Sequence, residues 1–391
     1  MSREINDDEG MAGFRKRAHK QFKIWKQTWV SGVAPEDKDP IFVYGHMIKY
    51  LIEPDQTPFL DLLGGGGFIP LGNNNKIIGQ AIGKMANQAI QTSDKGDHIY
   101  ASTAEFMSRV EEIIGWKDPA WQFASSENEA FLILMESLRD EYEKVIVING
   151  PTKWPHAGGH QFWSNQESLT ARDFASDGTA VVVYPVNPET FELVGTTTLT
   201  MLDSFKRDTN LLVWDLTVTA GWTRDPLDVN PNADAVVLGG ALGGGVPMGA
   251  VVSKERLPMP SPGRWSATAG NALTMQMGLH ALLQTDDRGA RDRYDLLVDA
   301  VGRELETIQT MLPEVVREIT GGGLLGGFRL SSAEEAYRVH MGLKDRGVLV
   351  GSLGLDRSIV TFRVSRMTDP HDVAELFDKV FEILTEEREE K

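Results

Sequence analysis

Four continuous apolar runs, Val145–Ile148, Ala180–Tyr184, Leu211–Trp214 and Ala235–Leu238, are separated along this chain by polar or helical stretches. Runs of this kind predict strands buried on both faces of a largely parallel sheet. Ahead of them, Ser102 and Glu105 have the spacing of a capping box for a helix whose Phe106, Val110, Ile113 and Ile114 share one face. Earlier still, the segment from Tyr50 to Leu63 predicts an extended hairpin, with Asp55-Gln56 as the turn and Phe59 and Leu62 facing inward.

The last third changes pattern. Tyr294, Leu297, Val298, Val301, Leu305, Ile308 and Leu312 keep a helical period. A strand near Gly327 to Leu330, a helix from Ser332 to Arg346 stopped by Gly347, a strand at Ile359 to Phe362 and a final helix carrying Val373, Leu376, Phe377, Val380, Phe381 and Leu384 complete a smaller α+β unit. At the other end, Phe14, Phe22, Trp25 and Trp29 alternate with basic residues as in an amphipathic helix, packed on the body or on a second subunit. The expected organisation is an N-terminal helix and hairpin over 1–65, a large domain over 66–288 and a small C-terminal α+β domain over 289–391.

Composition narrows the partners. With 391 residues, 41% of them apolar, the chain can bury a large core. A formal net charge of −17 opposes electrostatic attachment to nucleic acid or anionic lipid, so neither is expected as a partner. No apolar run approaches a membrane span, and the acidic, polar start is unlike a signal peptide, which reads as cytoplasmic. With no cysteine, thiolate metal sites and cysteine nucleophiles are excluded. His156 and His160 flank Gly158-Gly159 without reliable ligand spacing, so no metal is expected.

Three blocks in order resemble the class III, fold-type I pyridoxal-phosphate aminotransferases, nearest the glutamate-1-semialdehyde aminomutase branch. The first runs from Tyr50 through the glycine turn Gly64–Gly67 to Lys76, the second is Leu211-Leu-Val-Trp-Asp-Leu-Thr-Val-Thr-Ala-Gly221, and the third Ala235-Val-Val-Leu-Gly-Gly-Ala-Leu-Gly-Gly-Gly-Val-Pro-Met-Gly-Ala-Val-Val252. The resemblance implies a large domain with a mainly parallel seven-stranded sheet, a small domain built from both chain ends, and a homodimer with sites at its interface.

It also implies a chemistry that this chain has altered. Pyridoxal phosphate acts as an electron sink, held as an imine by a lysine. At the family's lysine position stands Gly240, which has no amine to offer. Asp215 matches the aspartate that pairs with the pyridine nitrogen, or else it caps a turn at its strand end. Thr217 takes the place of the valine that lies against the ring. Ser125 and Ser126 fall at the phosphate cup, where they bind an anion at a positive helix end or only cap the helix. Ala267 stands where a dimer partner gives a threonine, a role open to Ser266 or Thr268, and Asn271 suits a helix cap. Trp154 or His156 could stack on a cofactor ring, and Lys153 could reach in to replace the missing amine, against the reading of this segment as a surface loop.

Two functional expectations follow from the resemblance. One is a non-catalytic homologue with a binding or scaffolding role, holding pyridoxal phosphate or pyridoxamine phosphate without an internal imine or holding none, beside a protein partner or a small amino compound. The other is a derived enzyme acting on a small amino compound with His156 or Lys153 as the base.

Overall fold

The computed structural model describes residues 43, 45–47, 49–53, 56–73, 75–87, 100–151, 176–203, 205, 209–255, 257, 269–353 and 357–386, with isolated positions 13, 16 and 20 before them. In chain order the strands are β1 (Gly45–Met47), β2 (Tyr50–Ile52), β3 (Pro58–Asp61), β4 (Ala120–Ala124), β5 (Lys144–Ile148), β6 (Thr179–Val183), β7 (Leu211–Asp215), β8 (Ala235–Leu238), β9 (Gly249–Ser253), β10 (Val316–Gly322), β11 (Leu325–Leu330), β12 (Val348–Leu349), β13 (Gly351–Leu353) and β14 (Ile359–Arg363). The helices are α1 (Lys76–Asn87), α2 (Ala101–Ile114), α3 (Glu127–Glu141), α4 (Thr196–Asp203), α5 (Ala272–Thr285), α6 (Arg288–Met311), α7 (Ala333–Asp345) and α8 (Pro370–Thr385).

The four apolar runs form the parallel heart of a sheet ordered β4-β9-β8-β7-β6-β5. Strands β5 to β8 pair in parallel, and β9 runs against both β8 and β4. The sheet is therefore mainly parallel, as expected, with six strands among the described residues where the resemblance implies seven. Burial on both faces explains the unbroken hydrophobicity. Ile146, Ile148, Val181, Val183, Leu212 and Trp214 pack with Phe106 of α2 and Met275 of α5 on one face. The alternate residues Val145, Val147, Ala180, Val182 and Val213 meet Ile133, Leu134 and Leu138 of α3 on the other.

A third core lies around the antiparallel sheet β10-β11-β14-β13, covered by α6, α7 and α8. Phe362 and Phe377 meet edge to face there, with ring centroids 5.6 Å apart. The hairpin β2-β3 joins this core because β12 pairs in parallel with β3, which carries Leu60 and Leu62 into the same cluster. The inward pair is thus Leu60 and Leu62, not Phe59 and Leu62: with a period of two, Phe59 lies on the other face, half-buried.

Capping follows the sequence at Ser332, whose side chain accepts from the Glu335 N–H, and at Asn271, which accepts from the Thr274 N–H. The box at Ser102 and Glu105 does not form. Tyr100 precedes the first turn of α2, and Ser102 inside the helix donates its hydroxyl to the Ala272 carbonyl. The expected N-terminal helix lies outside the described residues apart from the isolated positions. Among the described residues no helix is long and apolar enough to cross a membrane.

Candidate functional site

The carboxyl ends of β6 and β7 and the start of α3 open onto a cleft of about 470 Å³, the place where open α/β sheets bind ligands. Gly66, Gly67, Phe68, Glu127, Phe131, Tyr184, Thr217, Val218 and Arg363 are among the residues that line it.

Residues Gly64–Gly67 form the near wall. All four have positive φ, from 58° to 102°, which a glycine run adopts without steric cost. The bare backbone lets Trp222 pack closely, since a Cβ on Gly64 would stand 2.6 Å from its ring, and the Trp222 indole N–H donates to the Gly67 carbonyl at 2.8 Å. Opposite the turn, the Arg363 backbone N–H donates to Leu62 O at 2.8 Å and locks β14 to this wall.

Arg363 is 8% exposed, and its guanidinium lies over the Phe191 ring at 4.7 Å. One nitrogen donates to the Leu63 carbonyl at 3.3 Å, and no carboxylate among the described residues forms an ion pair with it. Burial pulls its pKa from the usual arginine range down to about 10, opposed by Asp61.

Asp215 ends β7 and is wholly buried. Its Oδ1 accepts from the Thr217 N–H at 2.9 Å and from the Thr217 hydroxyl, while Oδ2 has no partner of regular geometry. Burial pushes its carboxyl up to about 6; the Thr217 bonds and the Tyr184 hydroxyl oppose this, and the charge of Glu127 adds to it. The Tyr184 hydroxyl is itself raised well above the ordinary tyrosine range by burial and by Asp215.

Glu127 opens α3, after Ser126 as its cap. Burial raises its carboxyl above the usual range, opposed by hydrogen bonds from its own backbone N–H and from that of Gly240. Gly240 follows β8, behind the cleft-lining Phe68 and Glu127, and is buried. A Cβ on it would lie 2.1 Å from two carbons of the Phe68 ring and 3.1 Å from Glu127 Oε2. Gly239 is equally confined, with the Cβ of Glu127 and the Cα of Thr217 each 3.0 Å from where its own Cβ would be.

The structure thus gathers Asp215, Thr217, Gly240 and the start of α3 at one edge of the sheet. Ser125 and Ser126 are there too, but their hydroxyls are engaged. Ser126 accepts from the Glu129 N–H at 3.2 Å, and Ser125 donates both its N–H and its hydroxyl to the Glu129 carboxylate. Lys153, Trp154, His156, Ser266 and Thr268 lie outside the described residues. Phe68, Glu127, Tyr184 and Arg363 are functional candidates that sequence reasoning missed. The one legible signal was Arg363, a charge inside the apolar run from Ile359 to Val364. Among the described residues, no group of three or more histidines and carboxylates has the arrangement of a metal centre.

Residues 219–384 match the aminotransferase class-III family profile. Over 127 residues the chain is 35% identical to the mitochondrial ornithine aminotransferase of Oryza sativa subsp. japonica, covering 31% of this chain and 27% of that one. Over 156 residues it is 28% identical to an acetylornithine aminotransferase of Caldanaerobacter subterraneus subsp. tengcongensis, covering 40% and 39%. These alignments span less than half the length of the curated relatives. The fold reaches further. An ornithine aminotransferase from Toxoplasma gondii superposes with a TM-score of 0.78 at 19% identity, covering 97% of this chain and 99% of that one. An N-acetylornithine aminotransferase from Stenotrophomonas maltophilia gives 0.73 at 20%, covering 91% and 98%. The chain has the fold of the fold-type I pyridoxal-phosphate aminotransferases.

The described residues that line the cleft do not fit that group as an imine. No lysine lines the cleft among the described residues, and Phe68 fills the volume above Gly240. The unpartnered Oδ2 of Asp215 suits a pyridinium N–H, but the carboxyl is wholly enclosed, bonded by Thr217 and flanked by Tyr184.

Proposed function

We propose that this class III aminotransferase-like protein performs no lysine-dependent transamination and instead binds a small amino compound that carries a carboxylate. The observation that carries the reading is Gly240. By the resemblance of its motif it takes the family's lysine position, and in space it sits beneath the Phe68 ring with no room even for a methyl group. An amine cannot be supplied from there. With the imine chemistry gone, the polar equipment of the cleft is Arg363, Glu127, Tyr184 and Thr217. A buried guanidinium with only one of its five N–H donors hydrogen-bonded among the described residues suits a carboxylate, which the amino acids named for the relatives carry.

One experiment tests it. The purified protein is given pyridoxal phosphate, L-ornithine and a keto acid, and product is measured beside L-ornithine binding by calorimetry. The expected result is binding without turnover. Sustained turnover overturns the reading.

A second reading, pyridoxamine phosphate held without a covalent bond, draws on the unpartnered Asp215 Oδ2. The absorption spectrum and mass of whatever co-purifies with the protein separate the two.

A further inference from the structure

The start of α3 is where this cleft concentrates backbone N–H groups, at the positive end of a 15-residue helix. In this chain that position is already taken. Ser126 accepts from the Glu129 N–H, and Ser125 gives its own N–H and hydroxyl to the Glu129 carboxylate. The Glu127 carboxylate stands between the helix start and the turn after β8, with its Oε2 3.1 Å from where a Cβ on Gly240 would lie. Two acidic side chains, Glu127 and Glu129, stand in the first turn. Beside them the Phe68 ring closes over Gly240.

We infer that Glu127 is a built-in occupant of the anion position at the start of α3, and that with Phe68 it makes the cleft refuse phosphorylated ligands, the cofactor of this fold family included. A phosphate brought to the helix start would meet a fixed carboxylate in a partly dehydrated place, where like charges repel more strongly than in water. It would also find the N–H and hydroxyl of Ser125 already given to the Glu129 carboxylate. Carboxylates remain welcome on the Arg363 side, so the cleft discriminates between two classes of anion.

This inference rests on the reading that no imine forms, but its test is separate. Pyridoxamine phosphate and pyridoxamine, which differ only in the phosphate, are titrated by calorimetry into the wild-type protein, Glu127→Gln and the double variant Phe68→Ala/Glu127→Gln. Glu127→Gln keeps side-chain length while removing the charge, and circular dichroism checks folding. In the wild type the phosphate is expected to give no gain in affinity. In Glu127→Gln the affinity ratio of the phosphorylated to the plain amine rises at least tenfold, and it rises further in the double variant. A wild-type ratio already tenfold in favour of the phosphate overturns the inference. So does a folded Glu127→Gln whose ratio is unchanged, or the absence of binding in both variants, because Glu127 is then not what keeps phosphate out. Pyridoxamine phosphate bound by the wild type without turnover removes this inference alone, whereas turnover of L-ornithine removes the proposed function.

Discussion

The Phe68 ring stands in the space that any side chain at Gly240 would enter, with a Cβ there only 2.1 Å from its Cδ1 and Cε1. The contact makes the two positions dependent on each other. Gly240→Ala forces the ring out of its packing, and overpacking of this kind costs about 1–3 kcal/mol. Phe68→Ala in the same chain removes the obstacle. Urea unfolding of the two single variants and the double is expected to give a favourable coupling of at least about 1 kcal/mol. Additive losses would mean that the backbone at residue 240, not the ring, resists a side chain.

Asp215 gives the stability a pH dependence whose sign is fixed by the direction of its shift. The native carboxyl titrates at about 6, above the ordinary value of 3.8, so the native state holds its proton more tightly than the unfolded chain. Its favourable contribution is therefore full below about pH 4 and lost as pH rises through about 6, a difference of about 3 kcal/mol. Asp215→Asn cannot titrate. Between pH 4 and 7 the wild type should lose stability relative to this variant, measured by urea unfolding at each pH. A constant difference across that window would refute a raised carboxyl.

Local patterns carried most of the fold. Strands β5 to β8 were legible because both faces of each are buried, which leaves an unbroken apolar run. Helix α8 was legible because its buried residues Val373, Leu376, Phe377, Val380 and Leu384 keep a helical period. The misreading at Ser102 has a tertiary cause, since its hydroxyl is claimed by a carbonyl 170 positions away, which no local pattern reveals. The site divides the same way. Asp215 and Gly240 were found because they stand at strand ends inside recognisable blocks. Phe68, Glu127 and Arg363 were not, because their meaning lies in contacts between segments distant in sequence: Phe68 over Gly240, Glu127 beside Gly240, Arg363 against Leu63 and Phe191.

Ser126 is expected to act as a helix cap and not as a ligand contact. Its hydroxyl oxygen satisfies the Glu129 N–H at the first turn of α3. Ser126→Ala should cost about 1 kcal/mol of stability, the usual worth of such a cap. L-ornithine affinity, followed by calorimetry, should stay within a factor of two or so of wild type, because neutral changes away from a ligand seldom exceed ±0.5 kcal/mol. A tenfold loss of affinity would return the serine to the binding machinery.

Arg363 sets stability against binding. In the unfolded chain its guanidinium is hydrated, whereas in the fold it is 8% exposed with no carboxylate partner among the described residues, and burial brings its pKa down to about 10. A dehydrated, unpaired cation opposes folding. Methionine has a similar reach and no charge, so Arg363→Met keeps much of the packing on Phe191 while removing that penalty. It forfeits the bond to Leu63 O, worth about 1 kcal/mol, and the cation over the ring, worth a similar amount. The net expectation is a variant as stable as wild type or up to about 2 kcal/mol more stable, since exchanging buried charge for apolar side chains is often neutral or favourable. Carboxylate binding moves the opposite way. A charge-assisted bond contributes about 1.5–3 kcal/mol, so L-ornithine affinity should fall at least tenfold. Thermal unfolding and calorimetry on the same preparation read both effects. A destabilised variant that binds as wild type does would mean that Arg363 only braces the glycine turn, and the cation for the ligand would have to be sought elsewhere in the cleft.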